Sequence, residues 1–203
     1  ALLAAWLMRD QIIDGVVRRL PVQVVQQLGE LAALELERSR RLVDAGPALA
    51  AVREVGARLV AVEPAPHPSF RFELARDPSV NAYAAPGGLI VVHTGLLRAA
   101  ASPEELAGVL AHEMAHVTER HTLRQVVFRA GLARALKVLV GSTDGAAEVL
   151  ADAARYLTAL RFSREQELAA DRGALERLAR ARLPAAGLAS FFDRLARESG
   201  TPP

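Results

Sequence analysis

SPEELAGVLAHEMAHVTERH, residues 102–121, carries both a helix start and the donors of a metal site. Ser102 offers a capping side chain, Pro103 stands where a first helical turn needs no amide hydrogen, and Glu105 follows the cap by three residues. Together they predict a helix running to about His121. Within it His112 and His116 are four residues apart, so both imidazoles leave one face, a turn apart, where one ion can reach them. Glu113 lies beside them, badly placed as a ligand but able to take a proton from a water that the metal activates. A solvated histidine pair on a surface helix is the bland alternative, and the capped helical context weighs against it.

Catalytic zinc usually takes three protein ligands and keeps one position open, so the chain must supply a third. His121 lies five residues past His116, about 140° further round an uninterrupted helix, which aims it elsewhere and into solvent. Glu119 shares the face, but three ligands along one straight helix would spread over about 10 Å. The one-helix variant of the site needs glycine at position 119 and histidine at 122, where this chain has Glu119 and Thr122. There remains SREQELAAD, residues 163–171. Ser163 and Gln166 form a second capping pattern, and Glu167 and Asp171 sit four apart on the helix it opens, with Glu165 off that line. Geometry favours Glu167 as ligand and Asp171 as the acceptor that orients a histidine, the reverse assignment staying open. Pairing of these acids with Arg164 and Arg172 on a solvated helix is the plainer alternative.

Outward from these two helices the chain reads as mostly helical with one small sheet. Ile13, Val16, Val17 and Leu20 recur at helical spacing in the first 20 residues, a stripe suited to packing on the domain or to lying on a membrane surface. Pro21 and Pro47 each open an amphipathic helix, to about Asp44 and Glu63. PAPHPSF, residues 64–70, breaks the pattern, and the alternation of FRFEL, residues 70–74, predicts a half-buried strand. NAYAAPGGLIVVH, residues 81–93, reads as an extended piece, a Pro-Gly-Gly turn and a β-branched strand from about Leu89 to His93, with His93 exposed. Amphipathic segments cover residues 123–140 and 146–160, and Pro184 introduces a last helix to about Glu198. The expected class is α+β, predominantly α, with three or four strands.

With 203 residues, half of them hydrophobic, the chain can bury a core without staples, and having no cysteine it can use neither a thiol nucleophile nor cysteine-bound zinc. The net charge is only +2 and acids are interspersed among the arginines, which predicts no nucleic-acid partner. Residues 78–97 carry no formal charge, but Pro86, Gly87 and Gly88 in their middle argue against a membrane helix.

On HEMAH at residues 112–116, the Ser163-Arg164…Glu167-Leu168-Ala169-Ala170-Asp171 run and NAYAAPGGLIVVHTGLL at residues 81–97, the sequence resembles the CAAX-prenyl-protease and HtpX family of zinc metallopeptidases, over about Arg19 to Leu195. The resemblance implies a minimal gluzincin-type catalytic domain over residues 21–203, with residues 1–20 as a peripheral helix. It implies one Zn2+ per chain, held by His112, His116 and Glu167, with Asp171 in support. Asn81, Ala82, Tyr83 and Ala84 would form the upper rim of a cleft that holds a protein substrate as an extended strand, although a turn-forming Asn81 and a core Tyr83 are the plainer readings. Similar chains continue past the last helix into a Ser/Thr-His-Pro stretch and a later arginine, so this sequence is expected to lack upstream and downstream segments. The expected role is zinc-dependent endopeptidase in bacterial envelope or membrane protein quality control, membrane-associated or periplasmic. The rivals are a zinc-bearing peptide-binding or chaperone-like module and a purely helical interaction protein.

Overall fold

The computed structural model describes residues 2–39, 41–65, 68–131 and 160–199. Much of the two amphipathic segments expected between 123 and 160 lies outside the described residues. The elements are helices α1 (Leu2–Arg19), α2 (Val22–Arg38) and α3 (Pro47–Val60), then strand β1 (Arg71–Ala75), strand β2 (Ala82–Ala84), a 3-10 turn at Pro86–Gly88 and strand β3 (Leu89–His93). After them come helices α4 (Thr94–Ala99), α5 (Pro103–Thr118), α6 (His121–Ala130), α7 (Arg164–Arg180) and α8 (Ala186–Ser199).

Three strands form one mixed sheet in the order β1-β3-β2. β3 runs parallel to β1 and antiparallel to β2, with Tyr83 opposite Val91 and Ala84 opposite Ile90. The uninterrupted apolar run of β3 fits its central place, because both of its faces are covered. Leu89 and Val91 join Ile13, Val16 and Val17 of α1, Leu28 of α2, and Leu123 and Val127 of α6 in one apolar cluster. Ile90 and Val92 join Val52 and Leu59 of α3, Leu110 and Met114 of α5, and Leu178 of α7 in a second cluster. Between β2 and β3 the chain reverses at Gly87, whose φ of 82° is a left-handed conformation that few side chains tolerate.

Several helix boundaries differ from the sequence expectation: α3 ends at Val60 rather than about Glu63, α6 ends at Ala130, before Gly131 with φ 87°, and two further differences have a visible cause. The helix from Pro21 stops at Arg38 instead of Asp44, and the chain beyond it runs beside β1: Leu42 bridges Ala75, and the Val43 amide donates to the Leu74 carbonyl at 2.9 Å. Unpaired backbone on the open edge of β1 offers better hydrogen bonds than another helical turn there. Helix α5 stops at Thr118 rather than His121, because Arg120 takes a left-handed conformation, φ 57°, and starts α6 in a new direction.

Both predicted caps form. Ser102 accepts from the Glu105 amide, and Ser163 and Gln166 make a reciprocal capping box. Helix α5 is buried around almost its whole circumference, against β2, α3, α7 and α8. It packs most extensively on α7, where buried Ala111 and Ala115 of one helix and Ala170 and Ala174 of the other leave room for Gly173 to approach Ala115. A side chain at Gly173 would reach within 3.0 Å of the Ala115 methyl, so small residues set the helix spacing that brings two distant motifs together.

Candidate metal centre

Three donor atoms from these two helices converge. His112 Nε2 lies 3.0 Å from His116 Nε2, and Glu167 Oε2 lies 3.3 Å from the first and 3.6 Å from the second. A tetrahedral zinc with ligand bonds of about 2.05 Å separates its donors by roughly 3.3 Å, so the three spacings are those of one face of such a site. Two neutral nitrogens and one carboxylate oxygen also make the donor set that catalytic zinc accepts, and the group of His112, His116 and Glu167 fits a metal ion.

Each imidazole is gripped on its other nitrogen. His112 Nδ1 lies 2.9 Å from Asp171 Oδ1, and His116 Nδ1 lies 3.1 Å from His121 Nδ1. The second contact corrects the sequence reading of His121 as solvated and pointing away. The break at Arg120 turns the chain back, and His121 is buried against His116. Nothing in helical periodicity marks a left-handed arginine, so the signal was absent from the spacing. Phe162, also missed, stacks on His116 with ring centroids 4.0 Å apart and planes at 21°, and Phe192 of α8 meets His112 edge-on at 6.1 Å.

The acids of the site are pushed in opposite directions. Hydrogen bonds from His112 and then His116 outweigh partial burial and pull Glu167 down to about 2. Glu113 is raised, first by burial and further by the Glu167 charge, against the pull of the two imidazoles and of the Ala84 amide that donates to it. Burial works against a charge on His112, but the hydrogen bond it donates to Glu167 and the charges of Glu113, Asp171 and Glu167 prevail and raise it. His121 falls to about 4, through burial and then the neighbouring His116.

These groups floor a cleft of about 470 Å³ whose opposite side is Asn81, Ala82, Tyr83 and Ala84. All nine predicted site residues therefore border one space, with Leu160, Phe162 and Phe192 as apolar walls that the sequence reading did not single out. Tyr83 is half-buried, and desolvation raises its phenol to about 12. His93, expected to be exposed, is instead buried: its Nδ1 lies 2.7 Å from Ser79 Oγ and 3.6 Å from Asp77 Oδ1, and its ring meets Tyr83 edge-on. The residues from 77 to 79 fold back over the end of β3, which its period cannot reveal.

A buried arginine braces the two motif helices. Arg177 of α7 donates to the Ala111 carbonyl, next to His112, at 2.8 Å, and grips Glu63 at 2.6 and 3.0 Å. Among the described residues no helix is long and apolar enough to cross a membrane.

Comparison with known proteins agrees with this geometry. Residues 49–201 match peptidase family M48. The chain is 36% identical over 157 residues to a putative beta-barrel assembly-enhancing protease of Vibrio cholerae, covering 72% of this chain and 32% of that protein. It is 27% identical over 190 residues to the beta-barrel assembly-enhancing protease of Escherichia coli, covering 87% of this chain and 39% of that protein. With the mitochondrial metalloendopeptidase OMA1 of Schizosaccharomyces pombe it shares 30% over 132 residues, covering 65% of this chain and 39% of that protein. The chain thus spans about a third of the length of curated bacterial relatives that it matches. A match over three quarters of its residues, together with a His-His-Glu donor set, makes this chain a member of peptidase family M48, a family of zinc metallopeptidases.

Proposed function

We propose that this chain is the catalytic part of a zinc-dependent endopeptidase, with His112, His116 and Glu167 as the metal ligands, Asp171 as the support of His112 and Glu113 as general base and acid. The observation that carries this reading is the meeting of two Nε2 atoms and one carboxylate oxygen at tetrahedral spacing beside a half-buried, raised carboxyl. Zinc bound there supplies a Lewis acid that polarises the scissile carbonyl and makes water a stronger acid.

Glu113 takes one proton from the attacking water as its oxygen bonds to the carbonyl carbon. It then delivers that proton to the leaving nitrogen as the C–N bond breaks, releasing a carboxylic acid, which keeps the water's second proton, and an amine. A carboxyl already raised by burial suits both halves of that transfer. Asp171 accepts the Nδ1 hydrogen of His112, which leaves Nε2 free for the metal.

The substrate is a protein segment held extended along Asn81 to Ala84. Among the described residues β2 is an edge strand, bonded to β3 on one side and bordering the cleft, so a peptide can add to it through backbone hydrogen bonds whatever its side chains. The bacterial relatives named for enhancing β-barrel assembly support a role in protein quality control in the bacterial cell envelope, membrane-associated or periplasmic.

The test is Glu113→Gln, with bound zinc and casein hydrolysis measured on the same preparation. Zinc should stay at one per chain while hydrolysis falls by about 10²-fold or more. Undiminished hydrolysis discards the mechanism, and wild-type protein that holds zinc without cleaving anything supports a binding module instead.

A further inference from the structure

We infer that His121 is the positioning residue of His116: its bare Nδ1 accepts the Nδ1 hydrogen of His116 and holds that ring in the tautomer whose Nε2 is free for zinc. The inference rests on His116 being a metal ligand, as proposed above.

Two imidazole nitrogens 3.1 Å apart share one proton, since two N–H groups or two lone pairs would repel. If His121 donated, His116 would carry its own hydrogen on Nε2, the atom that faces His112 and Glu167. A metal at that atom therefore requires His116 as donor and His121 as acceptor.

The surroundings fix this pair in place. The Arg120 turn that aims His121 is held by an Arg120 Nη1 hydrogen bond to the Val17 carbonyl of α1, 3.0 Å, and by the Arg120 amide on the Val117 carbonyl, 3.0 Å. Phe162 stacks on the face of His116 at 4.0 Å and lies tilted to His121 with ring centroids 6.1 Å apart, so one side chain packs against both rings. The division of labour has an electrostatic logic. Glu167, Asp171 and the Glu113 base already bring carboxylates to the site, and a neutral acceptor on the second histidine orients it without adding another.

The test compares His121→Phe, which keeps a ring but loses the acceptor, with His121→Asn, whose amide oxygen can stand near the Nδ1 position. Zinc affinity is measured by chelator competition, and the imidazole 15N shifts of His116 are recorded in the zinc-loaded wild-type chain. We expect His121→Phe to weaken zinc by about 10- to 100-fold, His121→Asn to recover most of that loss, and His116 to carry its hydrogen on Nδ1. A merely packing role gives the opposite order, with phenylalanine preserving affinity better than asparagine, and that result overturns the inference. So does a His116 hydrogen on Nε2 with zinc bound, a measurement that needs no variant to fold. If His116→Ala binds zinc as tightly as wild type, the metal-site reading itself falls. If His116→Ala loses zinc while His121→Phe keeps it, only the role of His121 is refuted.

Discussion

Glu113 and Glu167 border the same few ångströms of cleft, and their surroundings assign them different work. Glu167 is half-exposed and receives two imidazoles, which hold it at about 2 and keep it an anion fit to bind a cation. Glu113 is partly covered, and desolvation raises its carboxyl, the direction that suits a group that both takes and gives a proton. Their neutral amides should therefore fail differently: Glu167→Gln should lose tight zinc in a chelator competition, whereas Glu113→Gln should keep it. Equal zinc affinity in wild type and Glu167→Gln would remove Glu167 from the ligand set. At this scale the sequence was most legible where spacing on one helix decides a direction, as for His112 with His116 and Glu167 with Asp171. It was illegible for His121 and His93, whose places depend on a left-handed residue and on a loop folding back across 14 positions.

Between elements, the decisive joint is the crossing of α5 and α7. Alanines and Gly173 let the helices approach, and the Arg177 guanidinium ties the Ala111 carbonyl to Glu63 after α3. Burial penalises the Glu63 charge, but the Arg177 hydrogen bonds and charge, with help from Arg180, leave its carboxyl below the usual range. A depressed carboxylate contributes stability that is fully present above its unfolded pKa, about 4.3, and is lost as pH falls through the lower folded value. Glu63→Gln should accordingly flatten the acid side of the stability curve, read as urea midpoints of the metal-free chain from pH 7 to pH 3. At neutral pH it should cost about 3–5 kcal/mol, because Arg177 is left buried without its anion. An unchanged midpoint at pH 7 would show that the brace contributes nothing. Both caps were plain in the sequence, since a cap is a local pattern. The end of α2 was not, because the competing partner, the open edge of β1, lies more than 30 residues away.

Across the whole molecule, one strand divides two apolar clusters, and the metal helix lies within the second of them with its histidines turned toward the cleft. The class, mostly helical with a small sheet, followed from periodicity, and so did the central place of β3, whose run of LIVV has no polar face to expose. Strand order and the packing of α1 on α6 did not, because they arise from contacts between segments about 100 residues apart, such as Arg124 with Asp14. The central claim, that His112, His116 and Glu167 close on one zinc, is tested most directly by anomalous X-ray scattering on crystals of the zinc-loaded chain, above and below the zinc edge. The account predicts a single peak between the two Nε2 atoms and the Glu167 carboxylate, about 2 Å from each. A peak elsewhere, or zinc on the two histidines with Glu167 turned away, would contradict it.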